Sequence, residues 1–201
     1  MKHTEKDTYF QAKQRQILLS SRLRLGGYQL IFRPYTIIVP FLLIFLLAQL
    51  WKIKWILFPF KIVPSRLLSI YQNAISFTVI LIPIVFFIGY LKFLGDVSAR
   101  RDEANLIVAF TAKDLRNGHP ILISRYKVRG TDIIIREFYS PIPLKIWKDR
   151  KEELADQMNV HFVEPSITYG GKENNNGNRI RLYTAPGKNR VDRGKLYDDE
   201  L

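Results

Sequence analysis

The sequence predicts a membrane protein: two transmembrane α-helices followed by a small α+β (ββαββ) cytoplasmic domain. Two apolar runs free of charge, at 34–51 and 67–91, predict the helices. A switch after residue 95 to short β-branched runs with charges and turns predicts the domain. The expected organisation is a basic N-terminal tail at 1–33, a two-helix transmembrane hairpin at 34–95, the α+β domain at 96–185 and a linker-like tail at 186–201.

The first span is the uncharged stretch Pro34–Trp51, whose 18 residues would extend about 27 Å as a helix against a hydrocarbon core of about 30 Å. Tyr35 at one end and Trp51 and Trp55 at the other fit an aromatic belt, and Lys52 and Lys54 could snorkel to let the helix reach Phe60. The second, Leu67–Leu91, runs 25 residues without a charge, enough for a tilted helix. Pro40 and Pro83 lie inside the spans, where bilayer helices tolerate them. A cleaved signal fits poorly, because the leader before the first span is 33 residues long and no A-x-A-like site follows.

The formal charge of +13 sits mostly beside the spans. Residues 1–95 hold 12 Lys and Arg against two acids, whereas 96–201 hold 19 against 16. Cations flanking spans meet anionic headgroups and fix topology, and contact with nucleic acid is the competing reading. Three cations precede the first span closely (Arg22, Arg24, Arg33), three follow the second (Lys92, Arg100, Arg101) and four lie between (Lys52, Lys54, Lys61, Arg66). This count places the chain in the cell membrane as a multi-pass protein with both termini cytoplasmic. The stretch Gln11–Phe32 mixes Ile17, Leu18, Leu19, Leu23, Leu25 and Leu30 with Arg15, Arg22 and Arg24. It is either a basic amphipathic helix on the inner leaflet, ended by Gly26–Gly27, or a flexible leader.

In the aqueous part, Asp96–Glu103 carries the chain out of the membrane, and a strand is expected at 105–110. Ile121–Val128 and Ile133–Tyr139 read as a hairpin. Pro141 and Pro143 then precede a helix over 144–158 whose Leu144, Trp147, Leu154 and Met158 share one face. Strands at 160–169 and 179–184 flank the loop GGKENNNGN, a wide hairpin turn or a mobile tip.

Little in the sequence carries chemistry. The pairs Gly171–Lys172, Gly187–Lys188 and Gly194–Lys195 lack the spacing and hydroxyl of a phosphate-binding loop. His3, His119 and His161 are scattered, there is no cysteine, and Glu152, Glu153 and Asp198–Glu200 read as solubilising. No enzyme, cofactor or metal site is expected. The one candidate contact surface is basic. Arg125, Lys127 and Arg129 project together on one strand and Arg179 and Arg181 on another, with Arg136 on the partner of the first and Tyr126, Phe138, Tyr139 and Tyr183 interleaved. If these strands are neighbours, they would offer a basic face to nucleic acid or a protein partner; a solvated outer sheet face is the alternative.

The segment SPIPLKIW at 140–147 and the run LADQMNV at 154–160, with YGGK at 169–172 and LYDDEL at 196–201, follow two spans. In this arrangement most of residues 35–201 resembles the N-terminal region of FtsK/SpoIIIE-like DNA translocases, conjugative coupling proteins of Gram-positive mobile elements in particular. The resemblance implies a membrane-anchoring module that positions a motor ATPase in DNA translocation or conjugation. The Walker residues have no counterpart here, so the expectation is a truncated translocase or an anchor acting in trans with a separate motor. Implied partners are the lipid bilayer, a motor ATPase or DNA-transfer proteins, DNA itself, and a second copy of the chain in a homo-oligomer. The alternative is a membrane-tethered interaction or regulatory adaptor unrelated to DNA transfer. A pore is disfavoured, since Gln49, Gln72 and Asn73 lie near span ends.

Overall fold

A computed structural model describes residues 3–59, 64–171 and 176–187. Helix α1 (His3–Phe32) ends where Arg33, which precedes Pro34, is forced into extended backbone (φ −122°, ψ 96°). A single 3-10 turn, Pro34–Ile37, redirects the chain into α2 (Ile38–Leu57). A second short turn leads into α3 (Leu68–Ala109), 42 residues long and about 63 Å from end to end. Both α2 and α3 are long and apolar enough to cross a membrane.

Three expectations are corrected here. Gly26–Gly27 do not stop α1, because Gly26 is buried against α3 and the helix continues through it. Residues 105–109 are helical, not strand: nothing in 92–109 breaks the helix, and Leu106 and Ala109 are buried on its inner side. Lys54 does not snorkel outward. It is buried with its Nζ 3.0 Å from Ser76 Oγ of α3, 3.2 Å from the Trp51 ring centre and 4.7 Å from that of Trp55.

The remainder is a four-stranded antiparallel sheet in the order β1-β2-β4-β3, so helices are followed by a ββαββ unit. β1 (Ile121–Lys127) and β2 (Ile134–Tyr139) form the expected hairpin. A bulge between Leu122 and Ser124 lets Ile121, Leu122 and Ile123 all be buried, which is why the sequence alternation there is imperfect. The predicted helix begins at Leu144 after Pro143 but is interrupted at Arg150, giving α4 (Leu144–Asp149) and α5 (Lys151–Met158). Asn159 in the left-handed region (φ 51°) ends α5. β3 (Val160–Gly170) and β4 (Asn176–Pro186) are longer than expected, pairing as far as Gly170 with Asn176. Most of the tail at 186–201, with the motif LYDDEL, and the tip at 172–175 lie outside the described residues.

The core fills one face of the sheet. Leu122, Phe138 and Ile180 stand in one cross-strand row, with Ile167 and Leu182 beside them. Against them lie Leu25 of α1, Ala99, Leu106 and Ala109 of α3, Trp147 of α4, and Leu154 and Met158 of α5. Trp147 is fully buried, edge-on to Phe110 at 4.8 Å, and its Nε1 donates to Ser140 Oγ at 3.2 Å. The far half of α3 is therefore part of the domain core, and no break separates it from the apolar half.

Candidate functional site

The place where α1, α3 and the sheet meet concentrates the buried charge of the molecule's described part. It starts from two glycines. A Cβ on Gly26 would stand 1.9 Å from the Leu91 carbonyl oxygen, and one on Gly95 would stand 2.0 Å from the Arg22 carbonyl oxygen. The two helix backbones touch, and only glycine permits that approach. Leu25 and Ala99 are buried beside the contact, and the Gln29 amide donates to Ser98 Oγ at 3.0 Å.

This approach drives Arg22 into α3. Its guanidinium is buried, with Nε 2.8 Å from Asp96 Oδ1 and Nη2 2.5 Å from Glu103 Oε2. Asp96 and Glu103 are seven residues apart, two turns on one helix face. The other Glu103 oxygen accepts the Leu122 backbone N–H at 2.8 Å, so one carboxylate joins α1, α3 and the edge of β1. Asp102, also buried, forms a second set: its Oδ2 lies 3.2 Å from Arg136 Nε and 3.4 Å from Arg125 Nη1. Arg136 Nη1 donates to Thr184 Oγ1, which donates to the Ile134 carbonyl at 3.1 Å. Burial holds the Arg136 proton affinity below its ordinary value, an effect that neighbouring Asp102 only partly offsets; a guanidinium remains charged throughout. Arg22 Nε and Nη1 and Arg136 Nε are buried without an aligned hydrogen-bond acceptor among the described residues. Charges held at ion-pair distance but imperfectly aligned are costly to bury. Through Asp96, Asp102 and Glu103 these ion pairs link α1, α3 and the sheet.

The predicted basic face is divided. Arg125 pairs opposite Arg136, and Arg136 opposite Leu182, so Arg125 and Lys127 belong to the helix-covered side of the sheet. Glu137 pairs opposite Arg181, placing Arg179 and Arg181 on the open side, where they lie 3.1 and 3.2 Å from the two Glu137 oxygens. Hydrogen bonding to Tyr183, then to Glu137, raises the Arg181 proton affinity. Lys127 is 2.8 Å from Asp132, and Arg129 is exposed in the β1–β2 turn. Because β2 separates β1 from β4, the two groups are not brought together, and Arg136 is a buried partner of Asp102. Sequence reasoning missed Arg22, Asp96, Asp102 and Glu103 as a set. The seven-residue spacing of Asp96 and Glu103 was the available signal.

No family model matches the chain, and no curated protein matches it. Among solved structures, it is similar to the pCW3 conjugation coupling protein TcpA in its monomer form with ATPγS, at 24% identity and a TM-score of 0.36. The match covers 43% of this chain and spans 24% of that protein's chain, about a quarter of its length.

Proposed function

We propose that this chain is the membrane-anchoring module of an FtsK/SpoIIIE-like DNA translocation or conjugative transfer system, and that it positions a motor ATPase. In this reading α2 and the first half of α3 cross the cell membrane, both ends of the hairpin face the cytoplasm, and the ββαββ domain lies just beneath the bilayer. The chain contributes no catalysis and takes no cofactor. The observation that carries the proposal is the unbroken α3, twice as long as a hydrocarbon core is thick, with its second half built into the domain core. A motor attached below such a rod would be held at a fixed height and orientation. Membrane crossing is supported by exposure: only 6% of the most apolar α2 stretch and 17% of that of α3 is buried, whereas an apolar helix of a soluble core would be mostly covered. The motifs at 140–147 and 154–160 supply the link to DNA transfer.

The test is chemical crosslinking of the tagged full-length chain in its native membranes, followed by identification of the captured proteins. Capture of a P-loop ATPase or other DNA-transfer components is the expected result. Their absence from crosslinked complexes overturns the DNA-transfer assignment and leaves the alternative, a membrane-tethered adaptor. That second reading is favoured by the open sheet face, where Tyr126, Ile135 and Tyr183 form one row beside Glu137 and Arg181.

A further inference from the structure

We propose that the β1–β2 turn and the end of α1 form a binding site for the headgroup of an anionic phospholipid. This rests on α2 and α3 being bilayer spans, as proposed above. Between the two elements lies a groove of about 630 Å³, lined by Tyr28 and Phe32 of α1 and by Lys127, Val128, Arg129 and Asp132 of the turn.

Its height relative to the membrane follows from its neighbours. Phe32 precedes the entry to α2 by one 3-10 turn, and the Tyr90 hydroxyl, at the end of the apolar half of α3, donates to the Thr36 carbonyl at 2.9 Å. The groove is therefore level with the points where both spans leave the hydrocarbon. Phe32 in its wall is 63% exposed, and Ile31 and Tyr35, close to it in the chain, are 76% and 61% exposed, an apolar surface that a bilayer interface would cover. The Tyr28 and Phe32 rings lie 4.2 Å apart and form the groove's apolar wall.

The charge in the groove selects the headgroup. Lys127 is engaged by Asp132, which leaves Arg129 exposed and without an acidic partner among the described residues. Arg33, next to Phe32, is exposed and donates to the Tyr35 hydroxyl at 2.8 Å. The local excess is positive, which suits a phosphodiester that bears net negative charge. A nucleic-acid duplex fits less well, because it needs a track of cations. Arg125 is held by Asp102, while Arg179 and Arg181 are on the other face of the sheet.

The experiment uses the full chain in nanodiscs of phosphatidylcholine with and without phosphatidylglycerol. The protein has no cysteine, so Thr131→Cys in the exposed turn accepts one fluorophore. Nitroxide quenchers on either headgroup then report which lipid visits the turn. The expected result is preferential quenching by labelled phosphatidylglycerol, reduced about fivefold by Arg129→Gln and weakened by high salt. Equal quenching by both lipids, or no effect of Arg129→Gln, overturns the proposal. Loss of phosphatidylglycerol quenching on adding duplex DNA at physiological salt also overturns it, in favour of nucleic acid. Extraction of the chain from liposomes by alkaline carbonate is measured in parallel. If carbonate releases the chain, the span assignment itself fails; if the chain is retained without lipid preference, only the headgroup site fails.

Discussion

Alanine at Gly26 and alanine at Gly27 should act in opposite directions, although the residues are adjacent in one helix. At Gly26 the new methyl would meet the Leu91 carbonyl oxygen at 1.9 Å, against an ordinary contact of 3.4 Å or more. The obstacle is backbone, so the helices must separate by roughly 1.5 Å. A gap of even 0.5–1 Å forfeits about a quarter to a half of the dispersion energy between facing atoms. The ion pairs of Arg22 with Asp96 and Glu103 would also stretch. Overpacking costs about 1–3 kcal/mol in ordinary cores, and this site stands at the upper end, near 3 kcal/mol. At Gly27 nothing lies within 4 Å of a Cβ, so alanine there adds helix propensity alone and stabilises by about 0.5–1 kcal/mol. Hydrogen exchange of the α1 amides in nanodiscs measures the difference. An undocked α1 with two adjacent glycines is marginal as a helix, so its protection reports docking on α3. Gly26→Ala should exchange about 100-fold faster over α1 than wild type, and Gly27→Ala equally fast or slower. Similar rates for the two variants would refute the reasoning, because backbone contact between α1 and α3 would then not hold α1 in place.

Removing the Asp102 carboxylate by D102A leaves Arg136 buried without its partner and should cost about 3–5 kcal/mol, seen as a lower Tm of the detergent-solubilised chain. Replacing Asp102 and Arg136 together by Leu and Met should recover most of that loss, and failure to recover would mean the pair does more than neutralise itself. Trp147→Ala should cost about 3–5 kcal/mol by the same assay, because the ring is fully buried between Phe110 and Phe138. Asp114 accepts from the Thr111 hydroxyl and backbone N–H, at 2.6 and 3.1 Å, and these bonds with nearby Arg150 hold its carboxyl below the ordinary 3.8. Its contribution is present above the unfolded value and is lost as pH falls through the lower folded one. The Tm difference between wild type and D114N should therefore be full near neutral pH and vanish in strong acid; a constant difference would exclude this linkage.

The ββαββ order was legible because each element has a local signature. Pro143 opens α4, the spacing of Trp147, Leu154 and Met158 marks the buried face, and Arg129–Asp132 joins two β-branched runs. The extent of α1 and α3 was not legible, because tertiary contact overrides the local signal there. Gly26 reads as a helix terminator until a second helix is placed against it, and Asp96–Glu103 reads as a solvated exit until Arg22 and Arg136 are found opposite. The five cations do not form one face, for a topological reason. Arg125 and Arg181 have the right periodicity, but the strand order puts β2 between them and the register assigns them to opposite faces. Position in sequence does not encode which strand is inserted between two others.

The central claim is that one helix crosses the membrane and continues, unbroken, as the spine of the domain beneath it. Cysteines introduced singly along α3 test it in intact cells with a membrane-impermeant maleimide, since the chain has none of its own. The account predicts that Phe77, Ile80 and Phe86 resist labelling on both sides, whereas exposed Val97, Arg100 and Val108 are labelled only after the cytoplasm is opened. Labelling of the first set from water, or of the second set from outside the cell, would contradict it.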